Sequence, residues 1–211
     1  MTSKRQRGFS LLEMMITIGI GLTVAGITVM AYVPVMKQQH VTAAYNSTLT
    51  TLRRARDQAA GDMRTYVVTF SSAVAPNTIT VQQSVNVSGA CQIPPTGQVL
   101  LVTQLPTDVT FQVEPGVPTS NTTAPTTPDA FGTAAFAIDT DLPNNAGFAT
   151  VCFNPDGTAT DALGNISNGV VYLGRTGDVY SARAVTFWGS TGRIRGWRLY
   201  SISGNNTWRQ Q

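Results

Sequence analysis

The chain has 211 residues, of which 42% are hydrophobic and only 12% are charged, and its formal net charge is +3. Average domains carry about a quarter charged residues, so these values predict one domain plus one special apolar segment rather than a disordered chain. Two cysteines exclude a disulfide-dense scaffold, and a single histidine, His40, leaves little for a zinc or haem site. We therefore expect no metal and no cofactor.

The charges are segregated along the chain. Residues 4–7 hold three basic side chains, and five more lie between residues 37 and 64. Residues 65–174 contain no Lys or Arg but seven acids, whereas residues 175–211 contain six arginines and one acid. This segregation bears on the choice of partner more than the net charge does.

The first predicted element is a long apolar helix. Residues 14–36 form 23 consecutive positions without a charge, and a helix of that length is roughly 35 Å long, enough to cross a bilayer. The basic residues before it predict a cytoplasmic N-terminus. An ordinary secretory signal is the competing interpretation. Such a signal would have a shorter apolar stretch and an A-x-A-like cleavage site, whereas residues 23–25 offer only a weak one.

A carboxylate stands near the start of this apolar run, at Glu13. A charge within a membrane segment costs about 2.5–3.5 kcal/mol on insertion scales, so it normally indicates a partner or a function. The run Gly8-Phe9-Ser10-Leu11-Leu12-Glu13 after a basic leader resembles the class III signal of type IV pilins and pseudopilins. The resemblance implies that a prepilin peptidase cuts after Gly8 and N-methylates Phe9. It also implies that Glu13 meets the terminal amine of a neighbouring subunit during filament assembly.

The helical pattern continues beyond the apolar run. Spacings of three and four residues predict one apolar stripe, made of Val41, Tyr45, Leu49, Leu52, Ala55 and Ala59. Gly61 predicts the end of the helix near residue 60, and Pro34 predicts a kink or a lost hydrogen bond. The expected organisation is a leader at 1–8, a membrane and assembly half of the helix at 9–36, an amphipathic half at 37–61 and a head at 62–211.

The head is predicted to be mainly antiparallel β structure. Nine short strands are expected, at 65–70, 78–85, 98–103, 108–113, 134–139, 149–153, 170–173, 179–187 and 193–200. Residues 114–130 contain four prolines among Thr, Ser and Asn and predict an exposed low-complexity loop. The predicted fold class is therefore α+β, a pilin-like lollipop in which a long N-terminal helix packs on a β head.

Three further segments narrow the resemblance. Residues 52–59, residues 151–157 and the run Gly192-Arg193-Ile194-Arg195 are similar to segments of GspH/FimT-like minor pseudopilins. Such a protein is a structural subunit and not an enzyme. The resemblance implies insertion in the bacterial inner membrane as a single-pass protein, with the head in the periplasm. The implied partners are prepilin peptidase and other pilin or pseudopilin subunits, contacted through the helix.

Two pairs of residues, the cysteines and two aspartates, each allow two interpretations. Cys91 and Cys152 predict one disulfide in an oxidising periplasm, and two buried free thiols are the alternative. Asp139 and Asp141 could flank a cation, although a turn with solvated acids is commoner. His40 is expected to be a solvated residue of the helix.

The alternative function is DNA capture during natural transformation. The arginine-rich C-terminal region would supply phosphate contacts and a stacking platform. The candidate DNA-binding residues are Arg193, Arg195, Trp197, Arg198 and Arg209.

Overall fold

The computed structural model describes residues 9–84, 91, 98–119, 127–142, 144 and 147–211. The predicted leader at 1–8 and the centre of the predicted loop, 120–126, lie outside the described residues. The chain divides into two compact units, Met1–Gln39 and His40–Gln211.

A single long helix, α1 (Leu11–Asp62), opens the described chain and passes through Pro34. Its apolar window is long and hydrophobic enough to cross a membrane, by length and composition alone, and none of that window is buried. Glu13 lies in the first turn, where a carboxylate suits the positive end of the helix dipole. The helix extends past the expected end: Gly61 is still helical, and Met63 takes the left-handed conformation with φ 54°.

Ten strands follow in the second unit and form two antiparallel sheets. They are β1 (Tyr66–Ser71), β2 (Thr78–Gln83), β3 (Val99–Gln104), β4 (Ile138–Leu142), β5 (Thr150–Phe153), β6 (Ala159–Thr160), β7 (Asn168–Arg175), β8 (Asp178–Phe187), β9 (Ile194–Ile202) and β10 (Asn205–Gln210). The first sheet has the order β3-β2-β1-β5-β6, and the second has the order β10-β9-β8-β7-β4. The predicted α+β class is confirmed.

The main core lies where α1 meets the inner faces of both sheets. Val41, Tyr45, Leu52, Ala55 and Ala59 are buried there, and Leu49 packs against them partly buried, so the predicted stripe is confirmed. Gly196 on β9 is needed for this packing, because a Cβ at that position would lie 1.6 Å from the Tyr45 hydroxyl oxygen.

A second apolar cluster covers the other face of the second sheet. Tyr172, Leu199 and Trp208 belong to it, together with Val117 from the chain before β4.

The strand predictions were wrong in four places. Residues 108–113 alternate in hydrophobicity, but only Thr110 pairs, in an isolated bridge to Gly174, because the segment has no neighbouring strand along its length. The predicted strand at 134–139 begins instead at Ile138, and β6 and β10 were not predicted. Alternation indicates which face a residue occupies but not whether a partner strand exists.

The described ends of the predicted exposed loop are also partly buried, which corrects that expectation. Val117 is 8% exposed, Pro128 is buried, and Pro128–Ala130 form a short 3-10 helix. The Trp208 Nε1–H donates to the Pro118 carbonyl at 2.9 Å. This Pro-rich segment is therefore attached to the second sheet at both of its described ends.

A disulfide joins Cys91 to Cys152, with 5.8 Å between the two Cα atoms. Cys152 lies on β5 opposite Val67 of β1, and the three residues form a small buried cluster away from the main core. The cross-link therefore fixes Cys91, which lies between β2 and β3 in the chain, onto the first sheet.

Reducing this disulfide is expected to lower the free energy of unfolding by about 2–4 kcal/mol, because the closed loop restricts the unfolded chain. Denaturant unfolding of the full chain with and without reductant measures the change. A Cys91→Ser variant is the matched control and should not respond to reductant. Equal unfolding midpoints for the oxidised and reduced chains would contradict the expectation.

Candidate functional site

The N-terminal processing residues lie at the start of α1. Phe9 is 78% exposed, and Glu13, in the first turn of the helix, is also exposed. Gly8, the residue before the expected cut, lies outside the described residues. An uncompensated carboxylate on an otherwise apolar helix surface is suited to pair with a cation from another chain.

A cleft of about 640 Å³ lies between the second half of α1 and the connection from β8 to β9. Arg53 and Arg56 line it from the helix, and Arg193 and Arg195 line it from the sheet side. Trp188 adds an aromatic wall, and Asp57 is the one carboxylate among the lining residues. Asp129, which does not line the cleft, pairs with Arg195, so three guanidinium groups remain against Asp57, which favours an anionic occupant.

Gly192 allows the helix and the connection to come together. Its backbone is left-handed, with φ 57°, and an added Cβ would lie 2.3 Å from the Gly157 carbonyl oxygen and 2.9 Å from Arg56 Nε. The Arg56 guanidinium donates to the Thr191 carbonyl at 3.1 Å. The Gly-Arg-x-Arg element therefore positions its two arginines beside those of the helix.

Arg195 and Trp197 are held by Asp129, whose side chain is only 1% exposed. Arg195 Nη1 lies 2.5 Å from Asp129 Oδ1. The Trp197 Nε1–H donates to Asp129 Oδ2 at 3.3 Å and to Thr186 Oγ1 at 3.0 Å. The Thr186 hydroxyl also bonds to Asp129. Trp197 is therefore engaged in this network, and Trp188 is the tryptophan that lines the cleft.

Arg198 and Arg209 lie on the opposite face of the sheet from Arg195. Arg198 is directly opposite Arg183 on β8 and Arg209 on β10, so the three side chains share one face. We call Arg183, Arg198 and Arg209 the arginine row. The predicted DNA-binding set is thus divided between two surfaces.

Asp139 and Asp141 are buried on β4, which corrects the expectation of a turn with solvated acids. Asp139 is fully buried, and its carboxyl lies beside that of Asp141 on the same strand. Burial, and secondarily the adjacent Asp141 carboxyl, raise the pKa of Asp139 to about 7. Among the residues that the structure describes, no group of three or more His, Cys, Asp or Glu side chains could hold a metal ion.

His40 contacts a carboxylate, whereas the sequence predicted a solvated residue of the helix. Its Nδ1 lies 2.9 Å from Asp108 Oδ1, and Arg175 Nε lies 3.1 Å from the other oxygen of the same carboxylate. The His40 side chain remains 42% exposed. The contact ties the start of the second unit's helix to the chain between β3 and β4.

Two of these features had no clear signal in the sequence. Arg53 and Arg56 appear in the sequence as solvated helix charges, and only the fold places them beside Arg193. Asp129 lies in a Pro/Thr-rich segment typical of an exposed loop. The burial of Asp139 could have been suspected, because it follows a run of Ala and Phe and precedes Leu142.

Residues 3–29 match the family described as the prokaryotic N-terminal methylation motif. No curated protein and no solved structure matches the chain. The N-terminus thus carries the class III signal of type IV pilins, and a long N-terminal helix followed by antiparallel sheets fits a pilin. This signal implies processing by prepilin peptidase and assembly with other pilins.

Proposed function

We propose that this pilin-like chain is a minor subunit of a type IV pilus or of a type II secretion pseudopilus, with a role in starting, assembling or tipping the filament. The prepilin peptidase would remove residues 1–8 and methylate Phe9. The helix before His40 would cross the inner membrane once, with the His40–Gln211 unit in the periplasm. The GspH/FimT-like segments at 52–59, 151–157 and 192–195 support a minor rather than a major subunit.

One observation carries this proposal: Glu13 is exposed on an apolar helix surface that no other part of the described chain covers. A helix of this kind needs either lipid or other helices around it. Within a bundle of such helices, Glu13 could pair with the new amine at Phe9 of a neighbour. Each charge would then offset the burial of the other, and the pair would fix the helix register.

Glu13→Ala is expected to leave the chain processed and inserted in the membrane but largely absent from sheared filaments. Removing the carboxylate eases residence in the membrane and deletes the partner of the neighbour's amine. Thr17→Ala is the matched control, since Thr17 lies one turn later and its hydroxyl bonds only to the Met14 carbonyl of its own helix. The measurement is the ratio of subunit in filaments to subunit in membranes.

Mass spectrometry of the same material checks the processing step. The mature chain should begin at methylated Phe9 in the unaltered protein and in both variants. Normal incorporation of Glu13→Ala into filaments would contradict the assembly role. A mature terminus at another residue would contradict the class III assignment.

The cleft favours a second candidate function, DNA capture by the same subunit. Arg53, Arg56 and Arg193 in one concave surface suit a phosphate backbone, and Trp188 offers an aromatic face on which a base could stack. The Trp188 Nε1–H is buried, so any contact with DNA would be made by the ring. In this revised proposal Arg53 and Arg56 take the places that the sequence assigned to Arg198 and Arg209.

Arg53→Gln combined with Arg193→Gln is expected to weaken duplex DNA binding and to lower the slope of log affinity against log salt by about 1.8, because each phosphate contact contributes about 0.9. Both side chains are exposed, so the fold should tolerate the change. Arg198→Gln combined with Arg209→Gln is the matched control and should keep the slope. No measurable DNA affinity of the unaltered chain at low salt would exclude this function.

A further inference from the structure

The strand β3 forms one edge of the first sheet. It pairs with β2 on one side, and no strand of the described chain pairs with its other side. The Leu105 N–H, directly after β3, donates to the Asn77 carbonyl, directly before β2, at 2.9 Å. Since alternate residues of a strand bond to the same neighbour, Val102 and Gln104 direct their backbone N–H and C=O groups to the open side. β3 therefore presents a backbone edge that can receive another strand.

The exposed part of β3 is apolar. Val99, Leu100 and Val102 are 41–50% exposed. Edge strands are usually protected by charged side chains or proline, and β3 contains neither. Its pairing with β2 has a bulge that leaves Leu100 unpaired, so the regular open edge runs from Leu101 to Gln104. An edge of this length suits a short extended segment of a partner.

A groove of about 350 Å³ lies beside this edge. Thr50, Thr51 and Arg54 line it from α1, and Leu101 and Thr103 line it from β3. The Thr51 and Thr103 hydroxyls form a hydrogen bond of 3.0 Å that joins the helix to the strand. Because the lining strand is β3 and not β2, the groove follows the edge of the sheet. We call these five residues the edge groove.

Arg54 supplies the charge of the edge groove. It is exposed, and none of the eleven acids, all of which lie in the described ranges, forms an ion pair with it. Asp57 and Asp62 lie on the same helix and line the adjoining groove with Arg54. Asp62 there accepts the hydrogen bond of the Tyr66 hydroxyl. A carboxylate from a partner would therefore complement Arg54.

A second copy of this chain is a poor occupant of the edge. Two β3 strands paired about a two-fold axis would bring two Arg54 side chains to one interface, and neither strand carries an acid to separate them. The strand β10, at the edge of the second sheet, also carries an arginine, Arg209, and no acid. The acids of the edge strand β4, Asp139 and Asp141, are buried. The complementary acid should therefore come from another protein.

We propose that β3 and the edge groove bind an extended segment of another protein, which adds a strand to the first sheet. Partner side chains opposite Val102 lie on the outer, apolar face, whereas those opposite Leu101 and Thr103 lie over the edge groove. A glutamate or aspartate at such a position reaches Arg54. The segment therefore alternates apolar and acidic side chains, and backbone hydrogen bonds hold it in place. All of these residues belong to the His40–Gln211 unit.

The test titrates the full chain, in neutral detergent micelles, with a short blocked peptide that alternates valine with glutamate and carries a fluorescent label. Fluorescence anisotropy measures its binding. A peptide with lysine in place of glutamate should bind less tightly, because it meets Arg54 with a like charge. A valine–glutamate peptide that is N-methylated at every backbone amide should not bind, because it cannot donate hydrogen bonds to the β3 carbonyls.

Val102→Pro should weaken binding of the valine–glutamate peptide at least about tenfold, because proline removes an N–H on the open side of β3 and leaves the bonds to β2 in place. Val102→Thr is the matched control, since it keeps that N–H and a β-branched side chain, and it should retain most of the affinity.

Arg54→Gln tests the same surface without altering the backbone. It should weaken binding of the valine–glutamate peptide about two- to fivefold, as expected for an exposed ion pair. Arg53→Gln is the matched control and should leave the affinity unchanged, because Arg53 lines the cleft at Trp188 and not the edge groove.

Three results would overturn the inference: equal binding of the N-methylated and unmethylated peptides, equal binding of the lysine and glutamate peptides, or equal affinities of the Arg53→Gln and Arg54→Gln variants. Light scattering of the chain without peptide tests the second copy. A dimer that Val102→Pro dissociates, in a chain that binds no peptide, would assign the edge to self-association and refute the acidic partner.

Discussion

Asp129→Asn is expected to lower the free energy of unfolding by about 2–3 kcal/mol, because hydrogen bonds to a charged group contribute about 1.5–3 kcal/mol and Arg195 would lose its counterion. The carboxylate is 1% exposed and bonds to Arg195, Trp197 and Thr186 at once. Asparagine tolerates the left-handed backbone at this position, where φ is 55°, so the change removes the charge without adding strain. Urea unfolding of the full chain, followed by tryptophan fluorescence, measures the loss.

Asp156→Asn is the matched control. Asp156 is an exposed carboxylate in a turn, and its side chain bonds only to the Thr158 hydroxyl and backbone N–H. Its replacement should cost less than about 1 kcal/mol, as is usual for surface polar contacts. Equal losses for the two variants would show that Arg195 finds other compensation when Asp129 is neutral.

The contribution of Asp139 to the free energy of unfolding should fall as the pH rises from about 4 to about 7. Its pKa is raised from the ordinary value to about 7, so the folded chain holds a proton that the unfolded chain has already released. The contribution is greatest below the unfolded pKa and is lost as the pH rises through the folded pKa. The slope approaches about 1.4 kcal/mol per pH unit for one proton.

Asp139→Asn removes this titration, and the difference between the variant and the unaltered chain isolates it from all other groups. The electrostatic partners of Asp139 are Asp141, on the same strand, and Tyr172, on β7. Both carry acidic side chains, so neither offsets a negative charge on Asp139. The variant should therefore gain stability relative to the unaltered chain as the pH rises. A pH-independent difference between the two would contradict the buried, raised-pKa carboxyl.

The helix and the main core were largely predictable from the sequence. The stripe from Val41 to Ala59 follows from 3.6-residue periodicity, which needs no knowledge of the sheets. The run Asn154-Pro155-Asp156-Gly157 is typical of a turn, and the Gly157 N–H donates to the Asn154 carbonyl at 2.9 Å as such a turn requires. These features depend on residues close together in the chain.

The candidate surfaces were harder to predict because they depend on pairing between distant strands. Alternation along β9 places Arg195 and Arg198 on different faces, but the register with β8 and β10 is what groups Arg198 with Arg183 and Arg209. The sequence of β10 is polar and resembles that of a loop, because Trp208 is its one apolar residue. The sequence pattern therefore identified the arginines, but it could not show that they lie on two separate surfaces of the folded chain.

The Pro/Thr-rich segment is attached on both sides of residues 120–126. Pro118 accepts a hydrogen bond from Trp208, and Asp129 holds Arg195. The two contacts reach neighbouring strands on one face of the sheet, β10 through Trp208 and β9 through Arg195. The two described ends of the segment therefore brace the edge strand β10 and its neighbour β9 from the same side.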